Sequence, residues 1–97
     1  MRIISKRTLR ECWAKHALVE QPLKVWHQQV SQAAWRGPSD VKRDFPSASI
    51  LPSKRVVFNI KGNHFRMIVR INYEFGLVWV RFVGTHEEYN NINANTI

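Results

Sequence analysis

The stretch "RVVFNIKGNHFRMIVRINYEFGLVWVRFV", residues 55–83, decides the fold, because apolar and polar residues alternate through it three times. From Arg55 to Lys61, Val56, Phe58 and Ile60 fall on one side of a pleated strand. From His64 to Tyr73, Phe65, Met67, Val69 and Ile71 do the same, and Leu77 to Val83 makes a third alternating run. Gly62-Asn63 and Glu74-Phe75-Gly76 supply the two tight connections. Period-two runs joined this closely predict an antiparallel meander with one buried face. A further strand is expected over Ser47–Leu51, turning at Pro52 and Ser53.

Upstream of Pro46 the period lengthens to that of a helix. Arg2-Ile3-Ile4 reads as a short strand, and "TLRE" (Thr8–Glu11) matches a capping box at the start of a helix ending near His16. Leu9, Trp13 and Ala17 form its apolar stripe, and Glu11 and Lys15 form a favourable pair four apart. Pro22 opens a second helix, with Leu23, Trp26, Val30 and Ala33 facing inward. "RGPSD" (Arg36–Asp40) ends it, and Ser39 is expected to cap one more helical turn. The class expected is α+β over residues 1–97 as a single domain. A short N-terminal strand and two helices pack on one face of a C-terminal twisted antiparallel sheet. So small a sheet is not expected to hide Leu9, Trp13, Leu23 and Trp26 together, which predicts an apolar partner site on the helices.

A chain of 97 residues leaves no room for a separate cofactor domain, and none is expected. Composition is that of an ordinary soluble globule, and no apolar run is long enough to cross a bilayer. "MRIISKRTLR" lacks the apolar core of a signal peptide, and the lone Cys12 has no disulfide partner, so a cytoplasmic protein is expected. Fifteen Lys and Arg stand against seven Asp and Glu, a net charge of +8. Such an excess favours a polyanionic partner.

The opposite parity of the three strands shows where that charge goes. Arg55, Val57, Asn59 and Lys61, then His64, Arg66, Ile68, Arg70 and Asn72, then Leu77, Trp79, Arg81 and Val83 should share the face away from the helices. Six cations and one acid, Glu74, lie between Lys54 and Arg81, and five of the six fall on this face. A merely solvated face would mix both signs. Arginines interleaved with Trp79 suit phosphates and bases instead. "VGTHEEYNNI" (Val83–Ile92) then delivers Thr85, His86 and Tyr89 to the rim of that face. Histidine is the side chain type that trades a proton near neutral pH. RNA cleavage by its own 2′-hydroxyl needs a base, an acid and cations on the phosphate, and no metal. Thr85-x-x-Glu88 equally matches a second capping box, which leaves His86 with either a catalytic or a capping role. No carboxylate cluster or zinc-type spacing is present.

Nearly the whole chain, above all "VFNIKGN", "FRMIV" and "VGTHEEY", resembles the HigB branch of the RelE-like toxins. The resemblance implies a microbial RNase-like fold and an mRNA interferase that cuts translated mRNA in the ribosomal A site. It also implies silencing by a HigA-type helix-turn-helix antitoxin, with operator DNA reached only through that complex. Carried onto this sequence, it makes Arg66 the ligand of the scissile phosphate and His86 and Tyr89 its catalytic neighbours, while strand parity, separately, is expected to set Arg81 on the neighbouring strand under the same phosphate. Asn59, Lys61, Arg70, Arg55 and Trp79 would hold RNA. The paired lysines of RelE fall in register with Val57 and Asn59 here, and His86 stands where RelE has an arginine. Two classes of function follow: an RNA-cleaving toxin, or a protein without catalysis, either an RNA- or ribosome-binding module or a degenerate toxin that acts only in promoter repression with its antitoxin.

Overall fold

The computed structural model describes residues 1–97. In chain order it contains β1 (Arg2–Ile4), α1 (Lys6–Lys15), a 3-10 turn (Ala17–Val19), α2 (Glu20–Ser31), α3 (Pro38–Asp44), β2 (Ser49–Leu51), β3 (Arg55–Ile60), β4 (Phe65–Asn72), β5 (Leu77–Thr85) and the single turn α4 (His86–Tyr89). The strands form one sheet in the order β1-β5-β4-β3-β2. The expected meander is there, but the sheet is mixed, because β1 returns to pair with β5 in parallel. α1, α2 and α3 carry the chain from β1 at one edge of the sheet to β2 at the other, and the meander then returns to place β5 beside β1.

The helices cover one face, and the predicted parity supplies what they cover. Val56, Phe58, Ile60, Phe65, Met67, Val69, Ile71, Val78 and Val80 join Leu9, Leu23, Trp26 and Val30 in one buried cluster. Phe58 is its centre: Trp26 and Phe45 meet it edge-on at 5.5 and 5.0 Å, and Trp35 stacks on it at 6.3 Å. Such aromatic pairs add specific geometry to the area they bury. No helix of the fold is long and apolar enough to cross a membrane.

Several local expectations fail for identifiable reasons. α1 begins two residues before Thr8, with Ser5 as a left-handed cap, so Thr8 and Glu11 sit inside the helix and form no box. Glu11 pairs with Arg7 at 2.9 Å and not with Lys15, and Ala17 has already entered the 3-10 turn. Ser39 caps nothing: Gly37 precedes Pro38, whose fixed φ opens a full helix at its first position. In the loop between β3 and β4, Lys61 and Gly62 are the left-handed residues, one position earlier than the Gly-Asn pair suggests. The expected exposure of the helix residues also fails, because Leu9, Leu23 and Trp26 are all buried and Trp13 is half-buried. α3 and the aromatic group around Phe58 supply the volume that the sheet alone lacks. The large apolar side chains left to water are Leu18, Val25, Ile50 and Phe75.

One buried indole couples the core to an ionisable group. Trp35 Nε1 donates to Asp44 Oδ2 at 2.9 Å, and Arg43 Nε lies 3.2 Å from the other oxygen. These bonds favour the charged carboxylate and hold Asp44 below the ordinary range, with the Trp35 bond the larger cause. A depressed folded-state pKa stabilises the fold above the unfolded value, and that contribution is lost as pH falls through it. Urea unfolding at about pH 6 and about pH 3 should therefore show Asp44→Asn losing less stability on acidification than the parent. Equal losses in the two proteins would remove Asp44 from the acid response.

Candidate RNA-cleavage site

The face turned away from the helices is built from the registers of β3, β4 and β5. Three cross-strand rows lie on it: Arg55, Arg70 and Trp79; Val57, Ile68 and Phe82; and Asn59, Arg66 and Gly84. The second and third rows depart from strict alternation in β5. Ile68 pairs with Phe82 but Val69 pairs with Val80, which leaves Arg81 as an unpaired bulge residue in β5. An extra residue reverses every side chain beyond it. Val83 therefore packs against the helix-side core, and Phe82 and Gly84 take the places expected for Arg81 and Val83. Arg81 is exposed and does not stand opposite Arg66; Gly84 does. The signal was present in the sequence, since Val78, Val80 and Val83 contain one step of three among steps of two.

Arg66 is the cation best placed for chemistry. Its guanidinium lies over the Tyr89 ring, 4.9 Å from the centroid, and its Nε is buried with no hydrogen-bond partner. An aromatic face holds a cation in place without cancelling its charge. A carboxylate would hold it equally well and neutralise it. Arg70 is treated alike, 5.7 Å over Trp79. The four ion pairs of the chain use Arg7, Lys24 and Arg43, all on helices. No strand arginine is paired with an acid.

His86 and Tyr89 come from α4, which leaves the end of β5 beside Arg66. Their rings are 6.4 Å apart, and His86 is exposed at the first helical position. Its Nδ1 lies 3.4 Å from the Asn90 side-chain nitrogen, and its backbone N–H donates to the His64 carbonyl at 3.2 Å. Capping is done by others. Glu88 N donates to Thr85 Oγ1 at 3.1 Å, and Thr85 N donates to Glu88 Oε1 at 2.8 Å. The imidazole of His86 therefore takes no part in the cap. The Thr85 N–H holds the Glu88 carboxyl below the ordinary range, so at neutral pH it is an occupied carboxylate.

The remaining predicted RNA ligands divide. Lys61 is exposed in the β3–β4 turn, close along β3 to the Asn59–Arg66 row, while the Asn59 amide donates to the Ser47 carbonyl at 3.3 Å. Arg55 is occupied: its Nε and one terminal nitrogen both donate to the backbone oxygen of Ile97, at 2.9 and 2.6 Å. That contact shows something the strand pattern could not. Tyr89 lies at the Arg66 row and Ile97 at the Arg55 row, four residues or roughly 13 Å along the strands. The segment 90–97 must therefore cross the middle row. Val57 and Ile68 are 4% and 0% exposed although neither belongs to the helix-side cluster, as a covering segment requires. The face is cationic at both ends and strapped across its apolar middle. No group of three or more His, Cys, Asp or Glu side chains is arranged to hold a metal ion.

Residues 19–92 match the family model HigB_toxin, described as the RelE-like toxic component of a toxin-antitoxin system. The mRNA interferase toxin HigB of Escherichia coli strain K12 is 26% identical over 96 residues, covering 97% of this chain and 92% of that protein. The mRNA interferase HigB of Shigella flexneri gives the same figures. That of Escherichia coli O6:H1 is 26% identical over 94 residues, 95% of this chain and 91% of its own.

The strap yields a direct expectation. Arg55→Ala removes both bonds to Ile97, so amide exchange in residues 90–97 should accelerate while β4 keeps its protection. Unchanged exchange in the tail would show that apolar contact alone holds it.

Proposed function

The chain belongs to the HigB toxin family, and from that premise we propose that it is an mRNA interferase that cleaves RNA through the 2′-hydroxyl, with Arg66, His86 and Tyr89 at the reacting phosphate. The observation that carries this reading is an unneutralised arginine held by Tyr89, with an exposed imidazole on the same helical turn that takes no part in its cap. In the reaction a base removes the 2′-OH proton and O2′ attacks the adjacent phosphorus. The 5′-oxygen departs with a proton from an acid, leaving a 2′,3′-cyclic phosphate and a 5′-hydroxyl. His86 is the group of this site suited to proton transfer, since Glu88 is committed to the cap. Arg66 offsets the charge that builds on the phosphoryl oxygens. Tyr89 keeps that guanidinium in place through its ring. Arg70, stacked on Trp79, and Lys61 and Asn59 at the other end would track the strand on either side, with Arg55 joining only when the tail leaves it. Arg81, displaced by the bulge, contributes through the field of the face and not as a partner of Arg66.

The finer features of the proposal rest on the family resemblance. The substrate is mRNA in the ribosomal A site, the partner is a HigA-type antitoxin, and operator DNA is contacted only in that complex. The chain's +8 charge suits a ribosomal setting, because each phosphate contact releases counterions and makes binding steeply salt-dependent.

His86→Ala should lower single-turnover cleavage on programmed ribosomes by about 100-fold or more while ribosome binding persists. Substantial cleavage by the folded variant would end the proton-transfer role and favour a binding module. Arg66→Ala should reduce the cleavage rate by about 100-fold or more, far beyond its effect on RNA affinity. Proportional losses in rate and affinity would make Arg66 an RNA anchor.

A further inference from the structure

A four-residue turn does not hold its own shape, because the first turn of a helix fixes several residues for one hydrogen bond. α4 nevertheless has to present His86 and Tyr89 with fixed spacing. What holds it is reciprocal: the Thr85 hydroxyl bonds the Glu88 N–H, and the Glu88 carboxylate returns to the Thr85 N–H. To make that return, the carboxylate folds back over β5 into the space that a side chain at position 84 would fill. A Cβ added to Gly84 would lie 2.8 Å from Glu88 Oε1, 3.3 Å from Glu88 Cδ and 2.8 Å from Phe82 Cζ. The backbone of Gly84 is not left-handed, so glycine is required there for space and not for conformation. Gly84 is also the residue paired with Arg66.

We propose that Gly84 and Glu88 are positioning residues of the cleavage reaction: the missing side chain at 84 lets the Glu88 carboxylate close the cap that sets His86 and Tyr89 against Arg66. The inference rests on the catalytic reading of His86 given above. It separates two uses of a carboxylate, since a capping box works with glutamine as well as glutamate and acid–base chemistry does not. It also explains how a glycine without strain can matter beside a catalytic arginine. Misplacement of a catalytic group by about 1 Å costs on the order of 100-fold in rate without removing any group from the site.

The test compares Glu88→Gln, Glu88→Ala, Gly84→Ala and the double variant Gly84→Ala with Glu88→Ala, each checked for folding by urea unfolding. Glu88→Gln should keep the single-turnover rate within about 3-fold. Glu88→Ala and Gly84→Ala should each lower it by about 10-fold or more at nearly unchanged RNA affinity. The double variant should be no slower than the slower single, as expected for two changes that break one contact. The His86 imidazole NMR signals should move in the Ala variants and stay in place in Glu88→Gln. A glutamine variant as slow as alanine would overturn the proposal and make the Glu88 charge the active feature. Rates unaffected by Glu88→Ala, or multiplying losses in the double variant, would also overturn it. Should His86→Ala itself still cleave RNA, the catalytic reading falls, and the imidazole signals still report whether the cap places the ring.

Discussion

Where β5 passes from its pairing with Ile68 to its pairing with Val69, one residue of the strand has no partner, and the arrangement of the site depends on that irregularity. Below the bulge, Val78 and Val80 face the helices and Trp79 lies with Arg70 on the opposite face. Above it the parity reverses, so Val83 returns to the core and Gly84 comes to lie beside Arg66. An unbroken strand would have placed the larger Val83 on the Arg66 face. α4 starts directly after β5, so the bulge also decides how that turn leaves the sheet. Bulges commonly re-aim side chains in this way next to functional sites.

The charge of the chain is partitioned by what each cation has for a neighbour. On the helices, Glu11, Glu20, Asp40 and Asp44 engage Arg7, Lys24 and Arg43. These exposed pairs contribute little to stability, but they cancel charge locally. On the sheet, Arg66 and Arg70 have aromatic neighbours and Arg55 has a backbone oxygen. The strand arginines thereby stay open to an anion, although they are only part of the +8 excess, since Lys6, Arg10, Lys15 and Arg36 on the helical side also have no acidic partner. Glu88 is occupied by the Thr85 N–H, and the cations that act on its carboxylate are His16 and Lys15 and not Arg66.

The strap formed by residues 90–97 gives the same face a second character. Val57, Ile68 and Phe82 make an apolar row between two cationic ones, and leaving it bare would expose apolar surface beside polar groups. Turn bonds around Asn93 order the segment locally, and Arg55 holds its far end. The covered row explains why Val57 stands where the resemblance to RelE suggests a lysine, because a buried lysine there would be left without a partner.

Much of this was legible in the residues. Strict period-two patterning named the buried face of β3 and β4 correctly, since a one-residue error there would bury arginines. Charge and the "VGTHEEY" block led to Arg66, His86 and Tyr89, and the fold brings these three together. Local signals did worse. The Thr8–Glu11 box and the Ser39 cap were good motifs in places where the helix began elsewhere, because a cap works only if the chain turns there. By itself, the sequence determined the α+β class, the inward parity of β3 and β4 and the family, since these depend on residue type and spacing along the chain. The tertiary structure alone decided the parallel return of β1, the path of residues 90–97 and the contacts that a side chain at position 84 would meet. Each of these is a contact between segments that local spacing does not encode, and each is set by which groups still lack a partner once the core has closed.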